Sequence, residues 1–427
     1  MINKNKILKA KNPVYSENVS CLLPASEPIF KAIPDDVVKT FDLPTHKNFI
    51  PVYEPYIGDV SRVVEQVNSG WISFLSKSVL AFEKKFADFL GMKHAISCTS
   101  GTAALHLAIA SLGLKSSTGF RNLVLHPDFT MIAVPNAVSY MGGESILVDS
   151  YSGSYNMDLD LLEELYEKNK EFVSGVIVTH TYGLPCDLYR IKDFCDRNGL
   201  WLVEDSAESL GIKFSANSYC GTIGDVNIFS LYANKTITTG EGGMVVTNDD
   251  DVAKIIRILM NHGFDKEKHF YHKYLGYNYR FTGLQAALGL SQLDIVNEII
   301  DNKRKITDFY NLTLSSIPNI KLPEMGYENT CWMYGVEVNE KIDKDKVRFL
   351  LAENGIETRN FFIPISLQPY YYGYYRGKAY PTETKLNDNA IKFMNKGFYL
   401  PSSPSLTYEE IVYVSVKLQE AIEKAKY

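Results

Sequence analysis

Ser100-Gly101-Thr102 stands between a short apolar run, His94–Cys98, and the helix-like run that begins at Ala103. A small-residue turn that opens a helix after a buried strand offers free N–H groups and the positive end of the helix dipole, which favours a phosphate. The same triplet is also an ordinary N-cap. Asp205, in the string VEDSAES, follows the apolar run Leu200–Val203. Its carboxylate therefore lies at the C-terminal end of an expected strand, where open α/β sheets place ligands. It can hold a cation, a metal or a protonated ring nitrogen, or cap the next helix. Lys235 sits among small and polar residues in FSLYANKTITTGEGG, away from other charges. A partly desolvated lysine has a lowered pKa and can form a Schiff base; one on a hairpin surface does neither.

Taken together, the three match the anchors that pyridoxal 5'-phosphate (PLP) needs. The phosphate sits at a helix start, an acid keeps the pyridine nitrogen protonated, and an amine meets the aldehyde and shuttles a proton.

These groups require a scaffold that brings strand ends together. Short apolar runs at His94–Cys98, Asn122–His126, Ser145–Asp149, Gly175–His180 and Leu200–Glu204 alternate with helical stretches at Ala103–Leu112, Met131–Met141, Leu159–Glu167 and Leu188–Asn198. Runs without internal polar alternation, separated by helices, predict an α/β fold around a mainly parallel sheet covered on both faces. Asn227–Leu231 and Gly243–Thr247 read as two further strands, and Gly283 to about Tyr310 as one long helical connector. The expected units are an N-terminal extension (1–47) with five prolines, a large domain (48–300) and a smaller C-terminal α/β domain (301–427) built from a strand at Trp332–Val338 and helices at Lys344–Asn354 and Tyr408–Ala425.

Composition narrows the function class. The 427 residues are 45% hydrophobic with a formal charge of −6, which suits a packed interior and argues against non-specific nucleic-acid binding or a polybasic membrane surface. No apolar run is long enough to span a bilayer, and the basic N-terminal residues precede no signal-peptide core. The six cysteines form no C-x-x-C pair, so reduced thiols in a cytoplasmic protein are expected. His269 and His272 have the spacing of a helical metal pair but lack clustered further ligands, so no metal is expected.

The strings SGTAALHLA, VEDSAES, FSLYANKTITTGEGGMVVTNDDD and LGYNYRFTGLQAALGLSQL closely resemble the DegT/DnrJ/EryC1/StrS sugar aminotransferases, with further support from SGWIS, CWMYGV and IETR. The resemblance runs from about Phe49 to the C-terminus. It implies the fold of type I PLP enzymes and transamination of a nucleotide-linked 4-keto-6-deoxy sugar with L-glutamate as amino donor. By that resemblance Lys235 would be the Schiff-base lysine, Asp205 the partner of the pyridine nitrogen, and Glu208 a neighbour of the ring hydroxyl. Ser100, Gly101, Thr102 and Ser230 would bind the phosphate. Asn278 would reach the phosphate of the neighbouring subunit in a homodimer with shared active sites. Relatives that dehydrate the sugar carry histidine at the lysine position, so Lys235 favours amination.

Two residues depart from the family pattern. Met131 replaces the aromatic residue that stacks on the cofactor ring, although a thioether can also pack on a π face. Ser366 stands where close relatives carry histidine. His180 at a strand end, Tyr277 and Arg280 are candidate substrate contacts, with a structural histidine and interface packing as the competing accounts. The Tyr370–Tyr375 run is either a substrate-covering loop or a turn. A catalytically silent relative is the competing functional class, motivated by Met131 and the extension; an intact Lys235, Asp205 and phosphate turn argue against it. The absence of a G-x-G-x-x-G or P-loop motif where a strand meets a helix disfavours a general nucleotide-binding enzyme.

Overall fold

The computed structural model describes residues 49–114, 122–264, 270–328, 330–371 and 388–427. The expected extension, His269, Cys21 and Tyr372 to Tyr375 lie outside them.

Two helices open the described chain, α1 (Ser61–Asn68) and α2 (Lys77–Leu90). In α2 the 3.6-residue spacing of Val79, Phe82, Phe86 and Leu90 forms one buried face. Ser76 caps its first turn, and Gly91 ends it in the left-handed region (φ 70°). Strands and helices then alternate: β1 (His94–Cys98), α3 (Gly101–Leu112), β2 (Leu123–Pro127), α4 (Ala133–Tyr140), β3 (Glu144–Val148), α5 (Leu159–Asn169), β4 (Val173–Thr179), α6 (Leu188–Asn198) and β5 (Trp201–Asp205). A small hairpin, β6 (Lys213–Ser215) and β7 (Ser218–Tyr219), leads into β8 (Val226–Ser230) and β9 (Gly243–Thr247).

Seven of these strands form one sheet in the order β1-β9-β8-β5-β4-β2-β3. Within this sheet β9 runs against both its neighbours, β1 and β8, while β8, β5, β4, β2 and β3 pair in parallel. The apolar runs are buried on both faces, by α3 and α4 on one side and α5 and α6 on the other. This α/β architecture bears out the expected mainly parallel sheet. Its consequence for function is geometric: the chain leaves β1, β2, β4, β5 and β8 at one edge, so residues that follow these strands converge.

After α7 (Asp250–Leu259) come α8 (Gly283–Asp294) and α9 (Val296–Leu314). The single connector expected from the apolar spacing is thus two helices, broken at Ile295 (φ −112°, ψ 8°). The break is clamped from outside: Gln292 Nε2 donates to the carbonyls of Tyr56 (2.9 Å) and Ile57 (2.7 Å), and Asp294 pairs with Arg62 at 2.5 Å. The C-terminal part carries β10 (Ile320–Lys321), β11 (Gly335–Val338), α10 (Lys344–Glu353), β12 (Arg359–Asn360), α11 (Asp388–Lys396), β13 (Gly397–Tyr399) and α12 (Tyr408–Lys424). Its antiparallel sheet has the order β10-β11-β13-β12. The strand expected from Trp332 begins only at Gly335, which leaves Trp332 in the preceding loop.

The early turns of α9 (Val296, Ile299, Ile300) pack in the core of the large sheet, whereas Ile306, Tyr310 and Leu314 pack in the C-terminal core. One continuous helix therefore links the two cores. Among the described residues no helix is long and apolar enough to cross a membrane.

Candidate active site

The strand ends converge on a cavity of about 350 Å³. Its lining includes Ser100, Gly101 and Thr102 after β1, Thr130 and Met131 after β2, Thr179 closing β4, Asp205 closing β5 with Glu208 beyond it, and Ser230 closing β8. Lys235, from the loop between β8 and β9, enters from the side, and Trp332, Phe362 and Tyr399 reach in from the C-terminal unit.

Alternation along each strand selects what faces the cavity. Thr179 and Asp205 line it, while their neighbours His180 and Glu204 turn into the protein and are fully buried. His180 Nδ1 accepts the Cys186 N–H (3.2 Å), so the imidazole carries its proton on Nε2, which faces Glu204 Oε2 at 3.1 Å. Glu204 Oε2 also accepts from Gly221 N–H (2.7 Å), and Oε1 from Ile223 and Gly224 N–H (2.5 and 2.6 Å). His180 is thus a fully engaged group behind Asp205 and does not reach the cavity.

The turn at Ser100 is shaped for an anion. Ser100 Oγ accepts the Ala103 N–H (3.1 Å), which leaves the amides of Gly101 and Thr102 without a protein partner among the described residues. Two glycines hold the backbone close to its neighbours. A Cβ on Gly101 would lie 3.0 Å from Ser230 Cβ, and one on Gly243, the first residue of β9, would lie 2.2 Å from the Ser100 carbonyl oxygen. The Ser230 hydroxyl therefore borders the same amides.

Lys235 is the one cation among the described lining residues. Its Nζ lies 3.7 Å from Glu208 Oε1 and 3.6 Å from the centroid of the Trp332 ring. Burial pushes its pKa down, opposed by Glu208 and Asp205. Burial pushes Asp205 up, opposed by the Ala207 N–H at 3.1 Å and by Lys235. Burial likewise raises Glu208 to about 7. Glu208 Oε2 accepts the Tyr182 N–H at 2.7 Å. Tyr182 is fully buried with φ 56°, a left-handed conformation that costs a non-glycine residue about 1–3 kcal/mol and is held here from both sides. Its carbonyl accepts the Trp332 N–H (2.9 Å), and its hydroxyl accepts the Phe362 N–H (2.8 Å).

This donor set fits PLP. Two free amides and a hydroxyl suit its phosphate, a buried carboxylate suits its cationic ring nitrogen, and a desolvated amine suits its aldehyde.

Comparison with known proteins decides the family. Residues 58–419 match the DegT/DnrJ/EryC1/StrS aminotransferase family. The chain belongs to that family. As a DegT/DnrJ/EryC1/StrS protein it is a PLP-dependent sugar aminotransferase with the fold of type I PLP enzymes. It is 34% identical over 375 residues to GDP-perosamine synthase from Escherichia coli O157:H7, covering 87% of this chain and 98% of that one. The structure of DesI solved with its TDP-sugar product superposes with TM-score 0.77 at 28% identity, covering 89% of this chain and 94% of that one. The Streptococcus pneumoniae protein Spr1654 in its PLP form shares the fold with TM-score 0.79 at 23% identity, over 88% of this chain and 99% of that one.

The departures from the family pattern take definite places. Met131 is 48% exposed at the cavity, and its sulfur accepts the Ala133 N–H at 3.0 Å. Ser366 lies outside the lining; its N–H and Oγ both donate to Asp128, each at 2.7 Å, fastening the segment that carries Phe362 to the end of β2. Tyr277, Asn278 and Arg280 are also outside it. Their segment runs beside the anion turn, where Thr99 N–H donates to the Tyr279 carbonyl (3.1 Å), with Asn278 exposed and Arg280 over the Phe74 ring at 4.8 Å. Among the described residues no group of three or more potential metal ligands is clustered. The five described cysteines are buried and unpaired.

Sequence reasoning assigned no role to Trp332, Tyr53, Phe362 or Tyr399. Trp332 had a signal, since it lies in the string CWMYGV and is one of three tryptophans in the chain. Its distance from Lys235 in sequence concealed their contact.

Proposed function

We propose that this enzyme transfers the amino group of L-glutamate to C4 of a GDP-linked 4-keto-6-deoxy sugar, converting GDP-4-keto-6-deoxymannose to GDP-perosamine. The observation that carries this reading is the match to a GDP-perosamine synthase along 98% of that protein's length.

Bound PLP supplies an aldehyde that captures amines and a cationic ring that accepts electron density from a breaking C–H bond. The chain's own residues would do the rest. Gly101, Thr102 and Ser230 hold the phosphate. Asp205, desolvated at the cavity floor, holds the ring nitrogen as its conjugate acid. Lys235 Nζ, its pKa lowered by burial, takes and returns a proton. Met131 offers a polarisable surface at the cavity. Ser100 orients the anion turn as its N-cap.

We take residues 48–300 and 301–427 as the two units, divided within α9. The enzyme acts as a homodimer in which the exposed Asn278, with Tyr277 and Arg280 beside it, serves the neighbouring subunit's site. The position of this segment next to the anion turn, together with its absence from its own cavity lining, supports that reading.

The test is to incubate the enzyme with PLP, glutamate and GDP-, dTDP- or UDP-linked 4-keto-6-deoxy sugars, and to read the products by mass spectrometry. Amination of the GDP sugar is expected. Turnover of the dTDP sugar alone would replace this reading with the one that the likeness to DesI favours. No turnover with any of them would favour a catalytically silent relative.

A further inference from the structure

An indole faces the reactive amine. Lys235 Nζ lies 3.6 Å from the centroid of the Trp332 ring, within the range where an aromatic face attracts an ammonium. Glu208 Oε1, at 3.7 Å, stands beyond a normal hydrogen bond. The ring is held in place from several directions. Its Nε1–H donates to the carbonyl of Asn234, the residue before Lys235, at 2.6 Å, and its backbone N–H donates to Tyr182 at 2.9 Å. The residue is only 4% exposed. Because Glu208 takes the Tyr182 N–H, the carboxylate and the indole that flank the amine are joined through one strained residue. On the far side, Tyr53 Oη donates to the Lys235 carbonyl at 2.8 Å, fixing the backbone from which the amine projects.

We propose that Trp332 is a catalytic residue whose indole face, with the Glu208 carboxylate, forms the resting place of the Lys235 ammonium once the amine, free of the cofactor, has taken up its proton. The site holds the ammonium beside the cavity from the uptake of that proton until its return. Asp205 at the end of β5, Glu208 beyond it, Tyr232 and Glu241 from the β8–β9 loop, and Tyr399 at the end of β13 are the other titratable groups of the cavity. None of them brings a positive charge to repel the amine, and Trp332 is the aromatic group stacked against it.

This proposal rests on Lys235 being the cofactor-bonding lysine, and its test reads the free amine directly. In the full-length apoenzyme, trace labelling with acetic anhydride across pH, read by peptide mass spectrometry, gives the Lys235 pKa. Trp332→Leu should lower it by about half to one and a half pH units. Trp332→Phe, which keeps a ring but loses the N–H, should lower it less. An unchanged pKa in Trp332→Leu would overturn the proposal. So would equal falls in both variants, since the bond to Asn234 would then be what acts. Should Trp332→Leu fail to fold, the wild-type apoenzyme decides. Its indole emission should show a pH transition at the Lys235 pKa that Lys235→Met abolishes, and a wild-type titration without one counts against the proposal. Cofactor trapping on another lysine would instead strike the assignment of Lys235 itself.

Discussion

Glu208→Gln converts the electrostatics of the site into a measurable dependence of stability on pH. Burial raises the folded-state pKa of Glu208 from 4.5 to about 7. Below pH 4.5 both the folded and unfolded chains keep this proton, so the group is neutral in its effect. As pH climbs towards 7 the unfolded chain releases the proton first, so the folded state loses stability with rising pH. The interval of about 2.5 units corresponds to up to about 3 kcal/mol, at about 1.4 kcal/mol per unit. Glutamine accepts the Tyr182 N–H as Glu208 does, but it carries no charge to desolvate. Part of the gain is returned because the variant withdraws a counter-charge from Lys235. The assay is urea denaturation of the apoenzyme at pH 5 and pH 8, comparing midpoints and slopes. The variant should exceed wild type by less than about 1 kcal/mol at pH 5 and by up to about 3 kcal/mol at pH 8. The same difference at both pH values would refute the placement of a desolvated, titrating carboxyl at this position.

Other perturbations test the rest of the cavity. Asp205→Asn should lower turnover about 10²–10⁴-fold, with the fold intact by circular dichroism, because the ring nitrogen loses its anion; activity within a few-fold of wild type would contradict that role. Gly243→Ala puts a methyl group 2.2 Å from the Ser100 carbonyl oxygen and must displace the anion turn, so PLP affinity, followed by fluorescence quenching, should fall by more than about tenfold. Ser366→Ala removes the hydroxyl bond from Ser366 to the buried Asp128 and should cost about 1–3 kcal/mol in denaturant midpoint, without changing PLP affinity.

The sheet was legible because its strands are unbroken apolar runs buried on both faces, and the helices because their inward faces repeat every three to four residues. What followed the strands was legible for the same reason. Small residues, an acid and a lysine at strand exits are conspicuous once the strands are located. Ile295 escaped notice because apolar spacing continues through it, while the clamp that breaks the helix comes from Tyr56, Ile57 and Arg62 far upstream. His180 follows the end of a strand and Asp205 ends one, and only the register separates an inward group from one that faces the cavity. Trp332 and Tyr53 reach Lys235 through tertiary contacts alone.

Borohydride reduction of the PLP-loaded enzyme followed by peptide mapping tests the bond between Lys235 and the cofactor most directly. The reduced cofactor should be recovered on the peptide containing Lys235, and Lys235→Ala should yield no labelled peptide. Recovery of the label on a different lysine, or equal labelling of Lys235→Ala, would contradict the account.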